Sequence, residues 1–149
     1  MNTTIARDES DIRALVTGKV AAMRDRDAER IAGAYADDVV MYNLAPPLLQ
    51  TAEYARSPER VRDWFAGFTG QIDYEVRDLE ITIGGDIAYC HSLNRLTAVP
   101  NEHPDGFSLW FRATYGLRKA DGSWRIAHEH ESVPFYMEYP FRAAVDLEP

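Results

Sequence analysis

Cysteine is nearly missing from this chain, since Cys90 is the only one in 149 residues. An intrachain disulfide is therefore impossible, and so is a zinc site built from several cysteines. Apolar runs are also short, and none approaches the ~20 residues that a helix needs to cross a bilayer. The first ten residues contain no apolar segment, so we expect no signal peptide and a soluble, cytoplasmic protein.

Positive charge is the second shortage. The chain has 16 lysines and arginines against 24 aspartates and glutamates, which gives a net charge of −8. The basic residues are scattered, and the longest basic run is the pair Arg118-Lys119. Nucleic acids and anionic membranes both require clustered lysines and arginines. We therefore expect no nucleic acid and no membrane among the partners.

Motifs that hold cofactors are missing as well. The sequence has no glycine-rich phosphate loop, no dinucleotide fingerprint and no nucleophile-elbow serine. With 46% hydrophobic and 27% charged residues, the composition is that of an ordinary globular domain. We expect residues 1–149 to form one domain that needs no cofactor or metal and takes a small-molecule ligand.

Helical patterns are confined to the first half of the chain. Apolar residues recur at helical spacing in 8–25, and Asp27 can cap a second, shorter helix that Asp37-Asp38 ends. Ser57-Pro58 is a strong start for a third helix, which ends at Gly70. Between the second and third helices, 39–42 is typical of a short strand.

Alternation of apolar and polar residues dominates the second half. It predicts four long antiparallel strands from Ile72 onward, with turns at Gly84-Gly85-Asp86, at 100–106 and at 120–122. The tail after Pro134 is predicted to be an irregular strap over the surface. Three helices followed by a curved antiparallel sheet predict an α+β fold, with the helices over one face of the sheet. Such a cone has an open mouth in which a ligand can bind.

Three segments carry a resemblance to a known family: Cys90-His91-Ser92-Leu93-Asn94-Arg95, Trp110-Phe111-Arg112-Ala113-Thr114 and the block HEHESVPF at 128–135. With this order of elements, the chain from Ile12 to Phe135 resembles the nuclear transport factor two-like superfamily, in its SnoaL-like, ketosteroid-isomerase-related branch. The resemblance implies the cone fold. That superfold hosts isomerases, cyclases, dehydratases, hydrolases and association domains. Asp38 is the nearest counterpart of the isomerase base.

The last hairpin contains most of the candidate site residues. A three-residue loop at 120–122 would place Arg112 opposite His130 and Thr114 opposite His128. One face then carries Phe111, Ala113, Tyr115 and Leu117, which bring Glu129 and Glu131 inward together with His91. A carboxyl group in an apolar cone has a raised pKa and can act as a general acid or base. Tyr42, Trp64 and Tyr115 would form the wall of this cavity.

A rival register stays open at this stage. One β-bulge would exchange the two faces and place Arg112, His128 and His130 in the cavity, where they would suit an oxyanion or a carboxylate.

Two functions from different classes fit these patterns. The first is an enzyme that needs no cofactor and moves a proton on a small apolar or polyketide-like molecule, as an isomerase, cyclase or dehydratase does. The second is a ligand-binding or association module that performs no chemistry. We also predict a homodimer through the outer sheet face, because Trp110, Thr114, Trp124 and Ile126 would otherwise lie together in water.

Overall fold

The computed structural model describes residues 3–149. Within them are five helices and five strands; the first strand lies between the third and fourth helices, and the other four strands follow the last helix. The helices are α1 (Thr3–Thr17), α2 (Lys19–Arg24), α3 (Ala28–Gly33), α4 (Ala52–Ala55) and α5 (Pro58–Ala66). The strands are β1 (Tyr35–Tyr42), β2 (Phe68–Gly84), β3 (Ile87–Pro100), β4 (Phe107–Ala120) and β5 (Ser123–Ser132). The predicted α+β class, with helices over a curved sheet, is confirmed.

The five strands form one sheet in the order β1-β5-β4-β3-β2. All neighbours are antiparallel except β1, which runs parallel to β5 at the edge. Buried residues alternate with exposed ones along β3 and β4, so the sheet has an inner face under the helices and an outer face away from them. The inner face is where a ligand cavity can form.

Local sequence explains where the helices begin. The side chain of Asp27 accepts a hydrogen bond from the backbone N–H of Arg30 at 3.1 Å and caps α3. Ser57 caps α5 in the same way, with Pro58 in its first turn, as the sequence predicts. Gly18 divides the first predicted helix into α1 and α2. α4 was not predicted.

The last hairpin differs from the predicted one in its turn and in its register. Ala120 pairs with Ser123, so the loop contains two residues, Asp121 and Gly122, and both have positive φ. A β-bulge follows between Gly116 and Leu117 on one strand and Ile126 and His128 on the other. The loop is one residue shorter than expected and the bulge adds one residue, and the two differences add up. Beyond Ala127 the pairing is therefore shifted by two residues, with Arg112 opposite Ser132 and Thr114 opposite His130, and each side chain keeps its predicted face.

Below the bulge, the predicted faces are wrong. Trp124 and Ile126 were expected on the outer face, but they are only 4% and 5% exposed and belong to the core. Trp124 Nε1 donates to Asp8 at 3.1 Å, and the Lys119 ammonium donates to the same carboxylate at 2.9 Å. This cluster ties α1 to β4 and β5.

The tail after β5 lies over part of the outer face, as predicted. Ala144 is buried, and its backbone N–H donates to the carbonyl of Pro134 at 2.7 Å. A shallow depression there joins the tail to Leu93, Trp110 and Arg112 of the sheet. Among the helices of residues 3–149, none has both the length and the apolar character required to cross a membrane.

Candidate functional site

Two cavities lie between the helices and the inner face of the sheet. The front cavity has a volume of about 240 Å³ and is bounded by α2, α5, the 43–45 segment and strands β2 to β5. The side cavity has a volume of about 330 Å³ and lies between α1, α2, α3 and β5. Four residues line both cavities and form the partition between them: Lys19, Ile31, Tyr35 and Glu129. Three of these four residues are polar, so the partition places charged and polar groups between two largely apolar spaces.

Glu129 is held in place by a single phenol. It is 2% exposed, and the hydroxyl of Tyr35 lies 3.0 and 3.1 Å from its two carboxylate oxygens. Burial raises the pKa of Tyr35 well above its usual value, and the charge of Glu129 raises it further. Tyr35 therefore stays protonated and remains a hydrogen-bond donor to the carboxylate.

Glu131 lies two residues further along β5, on the same face, and differs in its contacts. Its side chain lines the front cavity. Within residues 3–149, no group is placed to hydrogen-bond its carboxyl group. Burial raises its pKa from 4.5 to about 7, and the charge of Glu129 adds to this, although Lys19 pulls in the opposite direction. A carboxyl group of this kind can accept and return a proton near neutral pH.

Lys19 supplies the positive charge of the partition. Burial alone would disfavour its charged form, but the carboxylates of Glu129 and Glu131 outweigh burial and raise its pKa above the usual value. Its ammonium lies 5.0 Å from the centre of the Tyr74 ring. No carboxylate of residues 3–149 lies within 4.0 Å of that nitrogen, so the charge is compensated at a distance. An ammonium so placed can approach an oxygen atom that becomes negative.

An asparagine fixes two further phenols behind this group. The amide of Asn94 donates to the hydroxyls of Tyr74 and Tyr115 at 2.8 and 3.1 Å, and its carbonyl oxygen accepts from Ser92 at 2.7 Å. Burial raises the pKa of both tyrosines. The network holds neutral polar groups at fixed positions on the inner face.

The structure brings four of the predicted site residues to the inner side. Glu129, Glu131 and Trp64 line the front cavity, while Tyr115 lines the side cavity and is 2% exposed. The three strand residues share the predicted face of the sheet, but the pairing is shifted by two residues from the predicted register, with Tyr115 opposite Glu129.

The other predicted residues lie elsewhere, and two expectations about the favoured cavity are wrong. His91 was expected beside the two glutamates, but it is exposed on the outer face and pairs with Thr114. Tyr42 was expected in the cavity wall, but its ring packs against His128 and His130 at 5.1 and 5.2 Å. It occupies the outer position because Met41, its neighbour on β1, points into the core.

The rival arrangement, with Arg112 and two histidines in the cavity, does not occur. Arg112 is exposed and donates to Ser132 at 3.0 Å, and His130 is exposed opposite Thr114. His128 Nδ1 lies 2.7 Å from the carbonyl oxygen of Val40. Asp38 is also exposed, and it pairs with Arg118 at 3.1 Å. In the described part of the chain, no three His, Cys, Asp or Glu residues converge to hold a metal ion.

Lys19, Tyr35, Tyr74 and Asn94 were not predicted as site residues. One signal was available for Lys19, which falls in the apolar stripe formed by Ile12, Val16 and Met23 at helical spacing. A lysine in such a stripe requires a charged partner or a cavity. Tyr35 was expected on a helix and in fact begins β1. No comparable signal marks Tyr74 and Asn94, because in the sequence nothing distinguishes them from other residues of their strands.

A comparison with protein-family models matches one family. The model of the SnoaL-like domain aligns with residues 12–136. Among solved structures, a similar one is an NTF2-like protein of unknown function from Pseudomonas putida. It is 34% identical, and the alignment covers 97% of this chain and 98% of that chain with a TM-score of 0.81.

More distant structures share the fold. A candidate scytalone dehydratase from Novosphingobium aromaticivorans is 14% identical, with a TM-score of 0.78 over 99% of this chain and 100% of that one. A candidate dehydratase of the NTF2-like family from Streptomyces avermitilis is 16% identical, with a TM-score of 0.70 over 85% and 97%. Among curated proteins, none matches this sequence.

Proposed function

We propose that this chain, which belongs to the SnoaL-like family of the nuclear transport factor two-like superfamily, is a cofactor-independent enzyme that moves a proton on a small, largely apolar carbonyl compound. One observation carries the proposal. Glu131 is a cavity-facing carboxyl group that no group of residues 3–149 hydrogen-bonds, and its pKa is raised to about 7. A general base works best when its pKa lies near the working pH.

The charge next to Glu131 suits a reaction through an enolate. In the proposed step, the Glu131 carboxylate removes a proton from the carbon beside a carbonyl group, and the electron pair moves to the carbonyl oxygen. The ammonium of Lys19 faces that oxygen and stabilises the negative charge as it develops. Protonated Glu131 then returns its proton to another carbon, which isomerises the substrate, or to a departing hydroxyl, which dehydrates it.

Glu129 has a different part in this proposal. The hydroxyl of Tyr35 contacts both of its oxygens, so this one donor fixes its position. Its negative charge raises the pKa of Lys19 and keeps the ammonium charged while the reaction proceeds. Glu129 is therefore a positioning residue, whereas Glu131 carries the proton.

The remaining walls of the front cavity define the substrate class. They are apolar and aromatic where α5, β3 and β4 contribute the side chains of Val61, Trp64, Leu96 and Phe111. A volume of about 240 Å³ suits a molecule with one or two rings. Two candidate dehydratases share this fold, and they support dehydration as one of the reactions to test.

The test is turnover across a panel of cyclic enones and β-hydroxyketones. Glu131→Gln keeps the shape of the side chain and removes the base, so we expect the rate to fall by about 10²–10⁴-fold. The rate of the native chain should rise with pH to a plateau above about 7, because the base acts in its deprotonated form. Glu80→Gln is the matched control, since Glu80 is exposed and pairs with His91 across the sheet.

A contrary result would favour the second class of function. If Glu131→Gln and Glu80→Gln turn over every convertible substrate as fast as the native chain, Glu131 is not the base. If panel members bind in the front cavity and none is converted, the chain is a ligand-binding module.

We also propose that two copies of the chain pair through the open part of the outer sheet face. Several apolar side chains are exposed there: Val40, Tyr42, Ile87 and Tyr89. A two-fold axis across this surface would bury them together. Trp110, stacked against Arg77 and Arg95 at 4.6 and 5.6 Å, lies toward the rim. Sedimentation should show a dimer at micromolar concentration that Tyr89→Glu and, to a smaller extent, Trp110→Glu weaken. A native monomer would contradict this proposal.

A further inference from the structure

The side cavity has no part in the proposed reaction, although it is the larger of the two, with a volume of about 330 Å³. Aliphatic and aromatic side chains form most of its walls and come from both sides. Leu15, Val16 and Ala22 lie on α1 and α2, and Ile31 and Ile126 lie on α3 and β5. Such a lining accommodates a hydrocarbon chain or a ring. An apolar ligand alone would not explain the polar residues that also line this cavity.

Those polar residues include two arginines without acidic partners. Arg30 and Arg125 both line the side cavity, and no carboxylate of residues 3–149 lies within 4.0 Å of either guanidinium. The side chain of Arg125 donates a hydrogen bond to the carbonyl oxygen of Trp124, at 2.9 Å. Two cations outside the side cavity are paired instead: Arg118 with Asp38 and Lys119 with Asp8.

Arg30 and Arg125 are both exposed to solvent, so they place positive charge where the side cavity meets water, in a chain with a net charge of −8. The lining also holds two acidic residues, Asp11 and Glu129. Glu129 is engaged by Tyr35 and by the charge of Lys19. Asp11 is exposed on α1 and forms no ion pair within the described residues. The two arginines therefore leave positive charge uncompensated at the edge of an apolar space.

Gly18 is the residue that lets one of these arginines reach the cavity. A Cβ atom at this position would lie 2.5 Å from Nη2 of Arg30 and 2.7 Å from the carbonyl oxygen of Ala14. The guanidinium thus occupies the space that a side chain would fill. The break between α1 and α2 provides that space, because it falls at Gly18.

We propose that the side cavity binds an apolar monocarboxylate. Its carboxylate contacts Arg30 and Arg125, and its hydrocarbon part lies between α1, α2 and β5. Guanidinium groups form strong, directional hydrogen bonds with carboxylates, and the aliphatic walls remove the remainder of the ligand from water. The ligand would also touch the partition of Lys19, Tyr35 and Glu129. Binding itself requires no reaction in the front cavity, so this inference does not depend on the proposed function.

Calorimetric titration of the full chain with sodium octanoate tests the proposal, with 1-octanol as the uncharged match. We expect octanoate to bind with 1:1 stoichiometry and at least tenfold more tightly than octanol. Arg30→Gln and Arg125→Gln should each weaken octanoate about tenfold and leave octanol unchanged, since each removes one charged donor. Arg24→Gln is the control, because Arg24 is exposed on α2 and pairs with Asp25.

Two further variants locate the ligand. Ala14→Phe fills the side cavity from an exposed position of α1 and should abolish octanoate binding. Arg60→Gln changes a cation that lines only the front cavity and should have no effect. Absence of binding, equal affinity for octanoate and octanol, or sensitivity to Arg60→Gln in place of Arg30→Gln would each overturn the proposal. Binding that persists in Glu131→Gln separates this site from the proposed reaction.

Discussion

Both faces of the sheet carry titratable side chains, but the surroundings of these side chains differ. On the inner face, Glu129 is 2% exposed and Glu131 lines a cavity. On the outer face, His91 and His130 are exposed to solvent. They lie on either side of Thr114, which pairs with His91 on β3 and with His130 on β5. Helices cover the inner face, so its charges lack the stabilisation that water gives. Position on the pleat therefore decides which titratable side chains are covered by the helices and which reach water.

The apolar part of the inner face should give the largest effect on stability. Leu117 is 1% exposed and packs in the core at the narrow end of the cone. Leu117→Ala should lower the free energy of unfolding by about 3 kcal/mol, through lost burial and the cavity left behind. Urea denaturation measures this. Thr114→Ala, on the exposed face of the same strand, should change it by less than about 0.5 kcal/mol. Similar losses for both variants would contradict the comparison.

The polar part of the inner face should give the next effect. Tyr35→Phe removes the hydroxyl that contacts both oxygens of Glu129. A buried carboxylate then loses its hydrogen bond, which should cost about 2 kcal/mol in the free energy of unfolding. Tyr42→Phe is a matched control, because Tyr42 lies on the outer side of the same strand and is 39% exposed. An unchanged midpoint for Tyr35→Phe would show that water replaces the phenol.

Glu131→Gln should act in the opposite direction. Burial raises the pKa of Glu131 from 4.5 to about 7, so the folded chain binds this proton more tightly than the unfolded chain. Its contribution to stability therefore falls as pH rises from about 4.5 to about 7, and it is constant above that range. The full shift corresponds to about 3 kcal/mol, and water in the cavity reduces the expected gain to about 1–2 kcal/mol.

Denaturation at two pH values measures this gain. Glu131→Gln should stabilise the chain at pH 8 and have little effect at pH 4, where Glu131 is protonated in both states. Glu80→Gln, on the exposed side of β2, should show no such pH dependence. A destabilised Glu131→Gln variant at pH 8 would mean that the carboxylate has partners in solution and is not a free base.

The sequence predicts the layers of this fold because the spacing of apolar residues along a helix or strand depends only on which of its sides is buried. The hairpin shows where such reasoning ends. Asp121-Gly122 can form a two-residue turn or part of a three-residue loop, and the bulge at Ala127 has no signature of its own. The predicted faces of Glu129 and Glu131 are right only because the two errors together shift the register by two residues, which preserves the alternation of faces. Trp124, between the turn and the bulge, was assigned to the wrong side.

His91 shows a different limit. On β3, the inward residues are small or neutral, Ala88, Cys90, Ser92 and Asn94, and the larger or charged ones face outward. That contrast indicates that His91 faces outward. The prediction instead placed it inward, because a histidine beside two glutamates would form an acid–base site. Lys19 was overlooked for the opposite reason, since lysine on a helix usually lies in solvent.

The smallest expected effect therefore concerns His91. Its side chain lies on the far side of the sheet from Glu131, since Thr114, its partner on β4, is exposed while Tyr115 faces inward. His91→Ala should change the free energy of unfolding by less than about 0.5 kcal/mol and leave turnover within twofold of the native rate. The measurement is the same substrate panel and urea titration used for Glu131→Gln. A large loss of turnover with unchanged stability would require His91 to reach a substrate, either through a partner subunit or on the outer face itself. The inner cavity would then not be the only reactive surface of the sheet.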